Sequence, residues 1–116
     1  MVRRAVAGEV FVAEYGGEIT GFVTVLARMP FQELDDPPGN YALITDLVVL
    51  KRFRRLGFGV ALLNAAERYA GEQDASELRI SLLSANKPAR ELYMRSGFRS
   101  HQEILSKRFD RNKTRA

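Results

Sequence analysis

The stretch that most constrains this chain is VVLKRFRRLGFGVALLNAAERY, from Val48 to Tyr69, because the hydrophobic period changes inside it. Up to Leu50, YALITDLVVL is an apolar run with one acid, Asp46, the pattern of a central strand covered on both faces. From Gly57 onward, Phe58, Leu62, Ala65, Ala66 and Tyr69 recur at the spacing of one helix face. The junction is Arg54-Arg55-Leu56-Gly57-Phe58-Gly59. A helix start normally carries Ser, Thr, Asp or Asn; here arginines and glycines stand in that place. Glycines let the backbone approach a phosphate, first-turn N–H groups bind an anion, and guanidinium groups add charge. An anionic ligand can therefore supply the missing cap. A glycine turn with solvated arginines is the plainer alternative.

The rest of the chain supplies partners for this unit. EVFVAEYGGEITGFVTVL, from Glu9, alternates apolar residues on both sides of Gly16-Gly17, a β-hairpin with a two-residue turn. PFQELDDPPGN reads as a loop. ELRISLL returns to strand alternation through Leu78, Ile80 and Leu82. NKPARELYMRSGF shows an Asn86 cap, an early Pro88, apolar Ala89, Leu92 and Tyr93, and a stop at Gly97. QEILSKRF, from Gln102, reads as a last strand. The order is β-β-β-α-β-α-β, an α+β fold with a mixed, mostly antiparallel sheet and helices packed on it. Residues 1–109 form one domain, and 110–116 a basic tail.

Several function classes fall away on composition. The chain has 116 residues, no cysteine and one histidine, His101, so thiolate chemistry and zinc–thiolate sites are excluded. No apolar run is long enough for a bilayer and no secretory signal opens the chain, so a soluble cytoplasmic protein with no membrane partner is expected. The net charge of +4 is all in the last residues: Lys107, Arg108, Arg111, Lys113 and Arg115 stand against Asp110. A basic end of this kind is more often solvated than docked, so nucleic-acid binding is the weaker reading.

Two phosphate loops fail on residues. A Walker A loop ends in Gly-Lys-Ser/Thr, and a dinucleotide fingerprint needs Gly or Ala where this chain has Leu62. What remains resembles motif A of the GNAT (Gcn5-related N-acetyltransferase) superfamily, Arg/Gln-x-x-Gly-x-Gly/Ala, at Arg54, Gly57 and Gly59. A second region, Asn86, Ala89, Leu92, Tyr93, Gly97 and Phe98, resembles the family's Asn-x-x-Ala-x-x-Leu-Tyr…Gly-Phe segment. The resemblance implies acetyl-CoA as co-substrate, with its pyrophosphate on Arg55, Leu56, Gly57, Phe58, Gly59 and Val60 beside Arg54. It implies that main-chain groups of Leu47, Val48 and Val49 pair with the pantetheine arm and polarise the thioester carbonyl. It further implies that Asn86 contacts the cofactor and that Tyr93 protonates the departing thiolate. No metal is required. A plain helix cap at Asn86 and a core aromatic at Tyr93 are the bland alternatives.

A general base is less firmly marked. Asp46 is the one acid of the central strand, and base, amine anchor and structural acceptor at a bulge all remain open for it. TDLVV resembles the acid-bearing strand of several small-molecule amine acetyltransferases, many with a second carboxylate where this chain has Thr45. Some protein N-terminal acetyltransferases carry a Glu at the position of Ser81. Glu33, Asp35 and Asp36 in the loop hint at a cationic amine, small molecule or protein, or are merely solvated. Family members usually place a strand and two helices before the hairpin; this chain reaches its hairpin by Glu9, so that lead-in is expected to be absent. An exposed edge and apolar face would then favour a homodimer. The expectation is an N-acetyltransferase; the alternative is a non-catalytic acyl-CoA-binding or assembly module of the same fold.

Overall fold

The computed structural model describes residues 1–5, 9–31, 39–82 and 86–110. Five strands form one sheet in the order β1 (Val2–Arg4), β2 (Val10–Tyr15), β3 (Glu18–Pro30), β4 (Asn40–Val49) and β5 (Glu77–Ile80). The first four are antiparallel neighbours, and β5 lies parallel to β4. Helix α1 (Phe58–Glu72) makes the crossover between β4 and β5, and α2 (Lys87–Arg95) follows β5. The expected fold class, a mixed and mostly antiparallel sheet with helices packed on it, is the one observed.

Local chemistry explains the elements. Gly16 and Gly17 have φ of 59° and 81°, the positive values that a two-residue type I′ connection needs at both positions. Helix α2 opens with Asn86, whose Oδ1 accepts the Ala89 N–H at 3.2 Å, and Pro88 stands in its first turn. It closes on Gly97 with φ 95°. There the Phe98 N–H donates to the Tyr93 carbonyl and the Gly97 N–H to that of Met94, a Schellman motif. The Tyr93 and Phe98 rings, 5.9 Å apart, supply its apolar contact.

The core lies on one face of the sheet. Ala13, Val23, Val25, Ala42 and Ile44 pack against Leu62, Leu63, Ala66, Tyr69 and Ala70 of α1, with Tyr93 of α2 in the same cluster. Because strand side chains alternate, burial of Val23 and Val25 turns Phe22, Thr24 and Leu26 to the opposite face. Leu26 and Val48, which stands opposite Phe22, are exposed there.

Three expectations are corrected. Strand β4 is covered by α1 on one face only: Thr45 and Asp46 are exposed, and two polar residues in a row cannot bury a second face. No strand forms over 102–109, where Ile104, Leu105 and Phe109 are exposed. Ile104 and Leu105 are adjacent, so they break the two-residue period and offer no single face to bury. The lead-in is not wholly absent, since β1 pairs with β2 through Val2↔Ala13 and Arg4↔Phe11. The observed order is therefore β-β-β-β-α-β-α. Glu33, Asp35 and Asp36 lie outside the described residues. Among the described residues no helix is long and apolar enough to cross a membrane.

Candidate active site

The site begins where the sheet splits. Strands β4 and β5 pair from Tyr41↔Glu77 to Ile44↔Ile80 and no further, while β4 stays paired with β3 out to Val49↔Gly21. At the split, Thr24 faces Asp46 and Val25 faces Ile44, so Thr45 is an extra residue on β4. A bulge of this kind bends its strand and breaks the local ladder. From Thr45 to Val49 the side of β4 away from β3 therefore carries backbone donors and acceptors that no described strand claims, open to an extended ligand except at the Val49 carbonyl, which Arg54 takes.

A cavity of about 280 Å³ fills the opening, lined by Ile44, Thr45, Asp46, Leu47, Val48, Ile80, Ser81 and Tyr93. Expected site residues from β4 and α2 thus meet at one place: Asp46, Leu47 and Val48 with Tyr93. Tyr93 is only 8% exposed. Burial pushes its phenol above the ordinary tyrosine range, so the group stays protonated well into alkaline pH. Its hydroxyl has no hydrogen-bond partner among the described residues.

Asp46 is exposed, and its Oδ2 accepts a hydrogen bond from the Thr24 hydroxyl at 2.9 Å. The Thr24 hydroxyl is also hydrogen-bonded to that of Thr45. Sequence reasoning missed Thr24. The signal was there: a lone hydroxyl between two core valines, turned by the strand period to the face that Asp46 occupies.

The loop before α1 forms the second half of the site. Arg55 and Gly57 both have left-handed backbone, at φ 64° and 89°. No side chain caps the helix, so the first-turn N–H groups of Phe58, Gly59 and Val60 are left to another acceptor. A Cβ on Gly57 would meet nothing within 4 Å, so the approach is open. These donors, with Arg55 beside them, fit a phosphate. Arg54 braces the loop: its Nε donates to the Val49 carbonyl at 3.0 Å. Gly59 has a packing reason too, since a Cβ there would stand 3.3 Å from Leu92 Cδ2, where α2 seats on α1. Asn86 caps α2 and does not line the cavity.

A larger cavity, about 410 Å³, lies between β1, β2 and α1 around Phe11, Asn64, Arg68 and Tyr69. It shares no residue with the opening between β4 and β5.

Comparison with known proteins agrees with this geometry. The model of the acetyltransferase (GNAT) family matches residues 3–98. An N-alpha-acetyltransferase of Sulfurisphaera tokodaii is 34% identical over 92 residues, covering 77% of this chain and 55% of that protein. A second protein of that name, from Sulfolobus acidocaldarius, is 30% identical with the same coverage. The chain thus spans about half the length of the curated relatives it matches. Among solved structures, aminoglycoside N-acetyltransferase AAC(6')-Iy in complex with CoA superposes with a TM-score of 0.75 at 18% identity, over 87% of this chain and 75% of that one. The split sheet, the uncapped helix after it and the match over residues 3–98 place this chain in the GNAT acetyltransferase family.

Proposed function

We propose that this chain is the catalytic core of a cytoplasmic N-acetyltransferase that moves an acetyl group from acetyl-CoA to a primary amine, with the α-amine of a polypeptide as the first acceptor to test. The observation that carries the reading is the opening between β4 and β5, with an ionisable carboxylate, Asp46, and a protonated phenol, Tyr93, on its walls. The names of the two N-alpha-acetyltransferases it resembles support the α-amine. CoA in the AAC(6')-Iy complex supports the co-substrate.

In this reading the first turn of α1 and Arg55 hold the pyrophosphate, with Arg54 bracing the loop, and the open edge over Leu47, Val48 and Val49 pairs with the pantetheine arm. Bound acetyl-CoA supplies an activated acyl carbon. A backbone N–H of β4 polarises the thioester carbonyl as a single-donor oxyanion hole. Asp46, directly or through water, takes the proton that the ammonium must lose before its nitrogen can attack. The nitrogen forms the C–N bond, the C–S bond breaks as Tyr93 gives its proton to the leaving sulfur, and the second proton lost from nitrogen returns through water to the Tyr93 phenolate. Tyr93 suits the task because its raised pKa keeps the proton in place until the thiolate needs it. Asn86 caps α2, the helix that carries Tyr93, and a homodimer forms through the exposed sheet edge and leaves the acceptor side open.

The test has two parts. Acetyl-CoA at about 100 times its dissociation constant should raise stability by about 2.7 kcal/mol, seen as a higher melting temperature, whereas ATP should not. Tyr93→Phe should then lower kcat by about 10²–10⁴-fold with acetyl-CoA affinity unchanged. In the wild type, loss of the phenolic proton should depress the rate only above pH 10, since the Tyr93 pKa is raised. Ligand stabilisation without turnover of any amine would favour a non-catalytic acyl-CoA-binding module. Unchanged turnover in Tyr93→Phe would remove Tyr93 from the mechanism.

A further inference from the structure

The bulge that splits the sheet brings three side-chain oxygens together from two strands. Thr24 on β3 and Asp46 on β4 are register partners, and Thr45 is the extra residue between Asp46 and the next pair. The Thr24 hydroxyl donates to Asp46 Oδ2 at 2.9 Å and is hydrogen-bonded to the Thr45 hydroxyl. A hydroxyl has one proton to give. With that of Thr24 committed to Asp46, the proton between the two threonines comes from Thr45. The chain Thr45→Thr24→Asp46 spends both hydroxyl protons inside the cluster, with the Thr45 hydroxyl also 3.5 Å from the Thr24 carbonyl, so each of the three oxygens keeps acceptor capacity. Asp46 Oδ1 has no partner among the described residues.

The position of the cluster gives this polarity a use. Thr24 stands between Val23 and Val25, which are buried under α1, so the cluster lies on the other face of the sheet, the one no described helix covers. Tyr93 and the uncapped end of α1 lie on the helix side. Thr45 and Asp46 line the cavity between β4 and β5, so the cluster borders that opening from the open face. An acceptor entering the opening beside Thr45 and Asp46 meets these side-chain oxygens on its wall.

We propose that Thr24, Thr45 and Asp46 together form the acceptor-binding cradle, and that it selects a primary ammonium. Such a group has three N–H donors, and the cradle offers three oxygens. A secondary ammonium has two, which leaves one cradle oxygen unfilled. Thr24 also fixes the Asp46 carboxylate at one oxygen, so the other is free to take the proton from R–NH₃⁺, giving R–NH₂ and a carboxylic acid that returns the proton to water. Thr24 is thus a binding and positioning residue for the reaction proposed above, and the inference rests on that reading.

The test pairs a binding measurement with kinetics. The CoA-bound protein is titrated with propylamine and with N-methylpropylamine at neutral pH, following the backbone amides of Thr24, Thr45 and Asp46 by NMR. The primary amine should shift these amides and bind about tenfold or more tighter than its methylated counterpart, the worth of one charge-assisted hydrogen bond. Thr24→Val, which keeps the β-branched shape, should remove that preference, and Thr24→Ser should restore it. With Ala-Ala-Ala amide as acceptor, Thr24→Val should raise KM for the peptide about tenfold and leave KM for acetyl-CoA unchanged. Binding of the primary amine with its preference, but no turnover, would keep the cradle and sink the transferase reading. Equal binding of both amines, or turnover with wild-type peptide KM in a folded Thr24→Val, would overturn the cradle and leave the transferase standing.

Discussion

Arg55 is the residue at which strain and binding meet. It holds φ 64° immediately before the turn into α1, a conformation that costs a non-glycine residue about 1–2 kcal/mol. The residue also stands two positions before Gly57, where the uncapped helix begins. Arg55→Gly should therefore raise thermal stability while weakening acetyl-CoA binding. The two effects are read separately, by melting the protein alone and by titrating it with acetyl-CoA. A gain in stability with unchanged affinity would assign the anion to the backbone donors alone. Gly21 is constrained in a different way: a Cβ there would collide with the Val48 carbonyl across the β3–β4 ladder. Gly21→Ala should cost about 1–3 kcal/mol in denaturant unfolding, since a backbone atom cannot step aside as a side chain can. Neither constraint was legible in the sequence. Arg55 reads there only as charge, and Gly21 only as a gap in an alternating strand.

At the scale of elements, legibility followed period and punctuation. The start of α1 and both ends of α2 were readable because Gly57, Asn86 and Gly97 mark them and the apolar spacing is helical. Strand β1 was not, because three residues are too few to show alternation; it exists through pairing with β2. The open face of β4 was hidden by a run of apolar letters, and only the bulge at Thr45 explains why its far half leaves β5. The site was partly legible for the same reason. Motif residues on one element could be found, but Thr24 joins the site from another strand through register. Tyr69 gives a prediction at this scale, because it ties α1 to the start of β2. Its hydroxyl donates to Glu9 Oε1 at 3.1 Å, and burial followed by the Glu9 carboxylate raises its pKa. A raised pKa in the folded state means that the folded protein holds the proton longer than the unfolded chain. This stabilisation is complete below about pH 10 and disappears as pH rises through the raised value. Tyr69→Phe should cost about 1–3 kcal/mol at pH 7 and flatten the fall in stability above pH 10.

For the whole molecule, the contrast is between a well-packed helix side and surfaces that no described element covers. The radius of gyration is 17.1 Å, against about 13 Å for a compact chain of this length, and the longest extent is 60 Å. Every residue of segment 101–110 is exposed, including Ile104, Leu105 and Phe109. Side chains without packing partners contribute little to folding. Changing all three to Ser should leave the stability of the dilute monomer within about 0.5 kcal/mol of wild type. Association should respond differently. Exposed apolar side chains on a segment without secondary structure, with β5 as a sheet edge unpaired among the described residues, are features that favour self-association. Sedimentation over a concentration series should show the wild-type chain associating and the triple-Ser variant remaining monomeric. If both chains associate alike, the contact belongs to the uncovered sheet face carrying Phe22, Leu26 and Val48. In that case a polar substitution at Val48 should disperse it, and acceptor binding at Asp46, two residues away on the same strand face, should weaken as the protein is concentrated.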